Sequence, residues 1–468
     1  VTLQHDASKS SALPRVIGTI GSTALVVGTV IGSGIFLVPH NVAQQVGSVQ
    51  SLLAVWVLGG ALALAGALSL AELGAALPEA GGVYVYLREA YGKLPAFLYG
   101  WGMLLVIESG SVATLAVAFG IYSASLFPLS PAGEKGAGCA VIALLTLVNI
   151  LGAREGSIVQ TIFTLAKLLG LAAIMGFALF HPGTHHASVP PPLPSPHTSL
   201  SSFGIALVGV LWAYEGWHML SFSAGEVRDP GRTLPRSYLA GMLIVVAVYL
   251  GANLAYLQVL PLAGLAQHQR VAARAMLILA GPGGATFVSA LILCSIFGAI
   301  NGNMLAGPRA YFAMARDGVF FSFVGRVHPR FQTPVAAIII QGLWSMALTL
   351  SGSFQQLYTY VIFSGWIFYA AAVLAVLILR RRAPCLERPY HVWGYPALPI
   401  AFTLAALAVV GNTLVREPGE SLIGLLLILI GIPIYLLWNR RTHGVHPSSP
   451  PAAGIQNRSK SDLQFPQR

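Results

Sequence analysis

Charge is what this chain has least of. Only 9% of its 468 residues are Asp, Glu, Lys or Arg, against about 25% in a water-soluble domain, so a soluble globular fold is excluded. Cysteine is also scarce. Cys139, Cys294 and Cys385 are the only three, each in or beside an apolar run. Their scatter excludes a disulfide framework and a thiolate metal site and leaves them as packing residues. Catalytic signatures are missing as well: there is no Gly-x-Ser-x-Gly elbow, no His-Glu-x-x-His pair and no Walker phosphate loop. Neither a membrane enzyme of those classes nor an ATP-driven pump is expected, and no cofactor or metal is implied.

What the chain has in abundance is hydrophobic residues, 56% of the total. They gather in runs of about 20, enough to cross a hydrocarbon core roughly 30 Å thick. Twelve runs can be counted, at about 16–46, 51–77, 95–126, 137–152, 157–180, 202–225, 236–261, 284–315, 334–351, 356–380, 396–415 and 420–439. An all-α polytopic membrane protein follows. An even number of spans puts both termini on one side. Placing them in the cytoplasm leaves 21 of the 26 Lys and Arg inside, the bias that orients membrane proteins. Only Lys135, Arg270, Arg274 and Arg416 then fall outside, with Lys167 inside a span. Topology therefore accounts for the net charge of +11. Nucleic-acid binding would need a basic face on a soluble domain, and none is expected.

The expected organisation is a short cytoplasmic segment over 1–15, a helical transport domain over 16–440 and a disordered cytoplasmic tail over 441–468. A proline-rich extracellular connection is expected around His181 to Pro192.

Two of the runs carry glycine at their centres, Gly28-Thr29-Val30-Ile31-Gly32-Ser33-Gly34 and Trp212-Ala213-Tyr214-Glu215-Gly216-Trp217-His218. Glycine lets a helix unwind, and unwound backbone at membrane depth is tolerated only where it lines a cavity or is buried in protein. If the first span unwinds at Ile31-Gly32-Ser33-Gly34 and restarts at Ile35, the new helical start presents unpaired N–H groups and a positive dipole end. That suits a carboxylate, helped by the Ser33 hydroxyl. Alternatively, Gly32 and Gly34 serve only to let a second helix approach closely. An unwound turn at Tyr214-Glu215-Gly216 would expose carbonyls to an ammonium group. Together the two breaks would recognise a zwitterion, an amino acid.

The residues also carry a resemblance. Gly32-Ser33-Gly34-Ile35-Phe36, Ala71-Glu72-Leu73-Gly74, Lys167-Leu168, Trp212-Ala213-Tyr214-Glu215-Gly216-Trp217, Asn253-Leu254-Ala255-Tyr256, Ala315-Arg316-Asp317-Gly318 and Arg388-Pro389-Tyr390 occur in order. Through them the chain resembles the L-type amino acid transporter family of the amino acid/polyamine/organocation superfamily, from about Val16 to Trp438, as a microbial member. The resemblance implies a LeuT-like fold of twelve helices, with helices 1 and 6 broken. It implies inverted five-helix repeats at about 16–180 and 202–380 and two appended helices over 396–439. By position it makes Gly32, Ser33 and Gly34 the carboxylate site, with Ile31 also among the substrate-binding residues, and the carbonyls of Trp212, Ala213 and Glu215 the amine site. Trp212 becomes an aromatic gate and Trp366 a border of the side-chain pocket. Lys167 takes the place of an ion in sodium-coupled relatives, bonding near Gly28, which implies transport without sodium.

Glu72, Glu108, Lys167 and Glu215 are ionisable residues within spans and so functional candidates. Glu72 reads as a gate or loop anchor, and Glu108 has no assigned role. Glu215 stands where the family often has a smaller residue. It reads equally as a substrate ligand or as a structural group bonded to His218. The loop Phe127-Pro128-Leu129-Ser130-Pro131 lacks the cysteine that joins animal members to a heavy chain, so no disulfide-linked partner is expected. The expected activity is sodium-independent exchange of neutral L-amino acids across the cell membrane. The alternatives are a proton-coupled or cationic amino acid permease using Glu215, and a non-transporting amino acid sensor in the membrane.

Overall fold

A computed structural model describes residues 15–79, 81–151, 167–178, 180, 199–331 and 333–443. The expected N-terminal segment up to residue 14, the start of the fifth span, the proline-rich connection and the tail from 444 lie outside the described residues. Among those described the chain is helical, and its only β feature is an isolated bridge between Ile17 and Val227.

The first span is two helices, α1 (Thr19–Val30) and α2 (Gly34–Gln45), bent by 47° across three residues. Next come α3 (Val49–Ala76), the short α4 (Val83–Tyr91), α5 (Lys93–Ser123), α6 (Pro131–Leu151) and α7 (Lys167–Ala178). The sixth span starts as α8 (Leu200–Ala213), stops, and continues as a 3-10 turn over Met219–Glu226. Then follow α9 (Pro230–Val259), a short α10 (Leu262–Gln267), α11 (Val271–Arg316), α12 (Val335–Ser351), α13 (Phe354–Arg382), α14 (Ala397–Arg416) and α15 (Pro418–Trp438). Apart from the short α4 and α10, these elements fall on the twelve runs read from the sequence, and two broken helices in this order are those of a LeuT-like fold.

Local chemistry sets several boundaries. The Ser48 and Ser199 hydroxyls accept the N–H groups of Ser51 and Ser202 at 3.1 and 3.0 Å, capping α3 and α8. Ser353 and Gln356 form a reciprocal capping box at the start of α13. One backbone pattern occurs twice. The short α4 meets α5 at Gly92 (φ 93°), and the first turns of α11 meet its long remainder at Gly281 (φ 67°). In both places glycine supplies the left-handed conformation that lets a short helix turn into a spanning one.

Packing separates an inner set from a lipid-facing rim. The broken helices lie inside, with α2 against α8 and α1 against α9, which also packs along α3. Leu147, Leu343, Leu404 and Leu437 remain between 60% and 62% exposed, as leucines facing hydrocarbon would be. One end of the two broken spans is tied together: Val16 and Ile17 donate to the Glu226 carbonyl at 2.9 and 3.0 Å, and Arg228 donates to that of Ile17 at 2.9 Å.

Glu72 proves to be a loop anchor. Arg380 donates to its two oxygens at 2.8 and 2.7 Å, and the Val392 backbone N–H adds a third bond at 2.7 Å. The buried carboxylate thus fastens α3 to the end of α13 and to the segment leading into α14, its charge matched by a bidentate guanidinium. Arg380 also stacks over the Tyr395 ring at 3.7 Å.

Candidate functional site

The two breaks touch. Gly34 lies so close to the end of α8 that a Cβ there would sit 2.5 Å from Ala213 Cα and 2.7 Å from its Cβ. Gly216, with φ 106°, approaches α1 in turn, and a Cβ on it would lie 2.8 Å from the Thr29 carbonyl oxygen. Thr29 Oγ1 lies 3.2 Å from the Gly216 carbonyl, which it can reach as a donor, though carbonyls of its own helix lie nearer. The glycines therefore perform both tasks weighed in the sequence: they let the backbone unwind and they let the two unwound regions meet.

At the first break Ile31 is extended, and α2 resumes at Gly34, one residue earlier than the sequence suggested. The Ser33 hydroxyl is buried and has no partner among the described residues. Phe36 N–H reaches Ser33 O at 3.1 Å. The N–H groups ahead of it stand at the open start of a helix, where no carbonyl of a preceding turn can serve them. At the second break the Trp212 carbonyl takes Glu215 N–H at 3.0 Å, and the Ala213 carbonyl takes the Tyr249 hydroxyl at 2.8 Å. Each carbonyl keeps one lone pair for a further donor. Within 31–34 and 212–218 every residue is buried except Gly32 and Glu215, so those two face what space remains between the breaks. A Cβ on Gly32 would find nothing nearer than Leu115 at 3.9 Å.

Lys167 of α7 is 1% exposed, and its ammonium group donates to the carbonyls of Gly28 and, at 2.5 Å, Ile31. A lysine snorkelling toward the membrane surface would show the opposite. Two carbonyls left over by the unwinding of α1 are thereby satisfied by a fixed cation.

Trp212 lies almost parallel to Tyr358 of α13, with centroids 6.4 Å apart and an 18° interplanar angle. Asn41 donates to the Tyr358 hydroxyl at 3.3 Å. Gln355, one turn earlier, lines both the niche beside Tyr358 and a cavity of about 260 Å³ bounded by Ser353, Gln356, Thr359, Glu417 and Glu420. Burial and the neighbouring Glu420 push the Glu417 carboxyl up from its ordinary value. Gln355 thus stands between an acidic cavity and the niche beside Tyr358. Trp366 stacks instead on Phe402 of α14, with centroids 5.4 Å apart.

Glu215 is held by a tyrosine, with a histidine nearby. Tyr369 of α13 donates to its Oε1 at 2.6 Å, and His218 Nδ1 lies 3.4 Å from the same oxygen. Its Oε2 is buried without a partner among the described residues.

Tyr249 is the residue that sequence reasoning missed. Its hydroxyl lies 3.0 Å from the Val30 carbonyl and 2.8 Å from that of Ala213, so one proton bridges the ends of α1 and α8. The signal was available: Tyr249, Asn253 and Tyr256 recur at helical spacing, all fully buried on one face of α9. Tyr358 and Tyr369, spaced three turns apart on α13, went unnoticed for the same reason.

Comparison with known proteins bears on what this arrangement does. A family model described as amino acid permease matches residues 17–438. The serine/threonine exchanger SteT of Bacillus subtilis is 35% identical over 441 residues, covering 93% of this chain and 99% of its own. Human b(0,+)-type amino acid transporter 1 is 32% identical, with 93% and 90% covered. Mouse Asc-type amino acid transporter 1 is 32% identical, with 94% and 84% covered.

Proposed function

This chain belongs to the amino acid permease family, and we propose that it exchanges small neutral L-amino acids across the cell membrane without sodium, by alternating access. It is a multi-pass membrane transporter, not an enzyme. The observation that carries the proposal is the contact between the two breaks, Gly34 on Ala213 and Gly216 on Thr29. This sets the helix-start N–H groups of α2 beside the carbonyls at the end of α8. In this reading Ile31, Gly32, Ser33 and Gly34 receive the carboxylate, and the Trp212, Ala213 and Glu215 carbonyls receive the ammonium group. Trp212 closes over the substrate, and Trp366 of α13, stacked on Phe402 of α14, backs the side-chain pocket. The unpartnered Glu215 Oε2 accepts a side-chain hydroxyl, a role supported by the likeness to a serine/threonine exchanger.

Lys167 supports sodium independence, because its ammonium group already neutralises the carbonyls at Gly28 and Ile31. The repeated short-helix, glycine, long-helix pattern at Gly92 and Gly281 supports inverted repeats over about 16–180 and 202–380, with 396–439 appended. The excess of Lys and Arg on one side supports cytoplasmic termini. The loop Phe127 to Pro131, free of cysteine, supports function without a disulfide-linked heavy chain.

Counterflow in proteoliposomes tests the proposal. Labelled serine should enter equally in sodium and in choline medium, and only when the vesicles hold internal amino acid. A sodium requirement would overturn sodium independence. Uptake that ignores internal substrate but collapses with the pH gradient would make the chain a proton-coupled permease instead.

A further inference from the structure

On the side of the second break toward the Lys93 end of α5 the structure gathers a cluster of buried polar groups around Glu215. Glu108 of α5 is 1% exposed, and its Oε2 is sealed without a partner among the described residues. It closes a π turn over Met103–Ile107, its N–H reaching back five residues to the Met103 carbonyl. Such turns re-aim side chains and are frequent at functional sites. Glu215 lies within electrostatic reach of Glu108. Tyr99 of α5, Tyr311 of α11 and Tyr369 of α13 lie within electrostatic reach of Glu108, Tyr86 of α4 lies within reach of Tyr99, and His218 Nδ1 lies 3.4 Å from Glu215. The Tyr99 and Tyr311 hydroxyls and Glu215 Oε2 are likewise buried and unpartnered. Among the described residues no Lys or Arg forms an ion pair with either carboxyl.

Two carboxylates charged together in so dry a cluster would repel each other with no cation to offset the cost. They are not equivalent. Glu215 accepts the Tyr369 hydroxyl at 2.6 Å, a bond that favours its charged form, whereas Glu108 accepts none. We propose that Glu108 is a proton-binding site: its carboxyl, ahead of that of Glu215, takes a proton from water, and exchange requires that proton. The step is a plain protonation, in which a hydronium ion gives its proton to the carboxylate and leaves as water. The sign follows. Exchange is fastest where Glu108 is protonated and falls about tenfold per pH unit once the pH passes the point at which the proton leaves.

Infrared spectroscopy of the full chain in lipid, without substrate, tests the site independently of any transport reading. The carbonyl stretch of a protonated buried carboxyl should be present at mildly acid pH and vanish on alkaline titration. It should be absent from Glu108→Gln and retained in Glu215→Gln. An unmodified protein without the band, or a band lost in Glu215→Gln and kept in Glu108→Gln, overturns the assignment. The transport arm rests on the exchange reading: the rate of the unmodified protein should fall at least about tenfold across the same titration, and Glu108→Gln should remove that fall. A rate that ignores pH, or a variant that keeps the fall, overturns the requirement for the proton.

Discussion

Replacing Lys167 by alanine should slow exchange about a hundredfold while weakening substrate binding far less. The lysine lies outside the space between the breaks and satisfies the carbonyls of Gly28 and Ile31. Removing it strands two buried acceptors at the point where α1 must keep its unwound shape. Each costs about 1–3 kcal/mol, and a charged donor is worth the upper part of that range. The loss falls on whichever state of the transport cycle uses that shape most, so it appears as a rate. Exchange and equilibrium binding measured side by side on Lys167→Ala check this, and an unchanged rate would remove the lysine from the mechanism. Lys167→Arg should not restore the rate, because a planar fork cannot reproduce a point charge seated between two carbonyls.

Gly34→Ala should abolish exchange and lower the unfolding temperature in detergent. The new methyl would lie 2.5 Å from Ala213 Cα, inside any real carbon–carbon contact, and the atom it meets is backbone rather than a flexible side-chain tip. Overpacking of this kind typically costs about 1–3 kcal/mol. Here the relief must come from separating α2 from α8, which pulls apart the two halves of the binding space. Gly411→Ala is the matched control, since a Cβ there meets nothing within 4 Å and it lies on appended α14. Normal exchange by Gly34→Ala would mean that contact between the breaks is dispensable.

Much of this was legible from residue order. Run length placed the spans, because the membrane imposes one length on every helix that crosses it, and the glycine positions located both breaks. The resemblance carried Lys167 to the first break, where the structure finds its ammonium group. What stayed hidden lies in pairing across distant elements. Glu215 offered two readings, and only the fold brings Tyr369, 154 residues later, to 2.6 Å from it. Glu72 could be a gate or an anchor until Arg380 and the Val392 N–H closed around it. Tyr249 carried only the signal of helical spacing with Asn253 and Tyr256, and a tyrosine on a buried helical face is ordinary packing until its hydroxyl is seen between two helix ends. Glu108 gave no sign of its π turn, because apolar residues such as Met103 to Ile107 suit an α-helix as well.

The central claim is that the paired breaks read both ends of an amino acid. Competition against labelled serine exchange tests it most directly, using alanine, its decarboxylated form ethylamine and its deaminated form propanoate. Alanine should compete, and each truncated analogue should be weaker by about a hundredfold, since losing a charged end leaves buried hydrogen-bonding groups unpaired at a cost of about 3 kcal/mol. Competition by ethylamine or propanoate within a few-fold of alanine would contradict the claim, because one of the two breaks would then take no part in recognition.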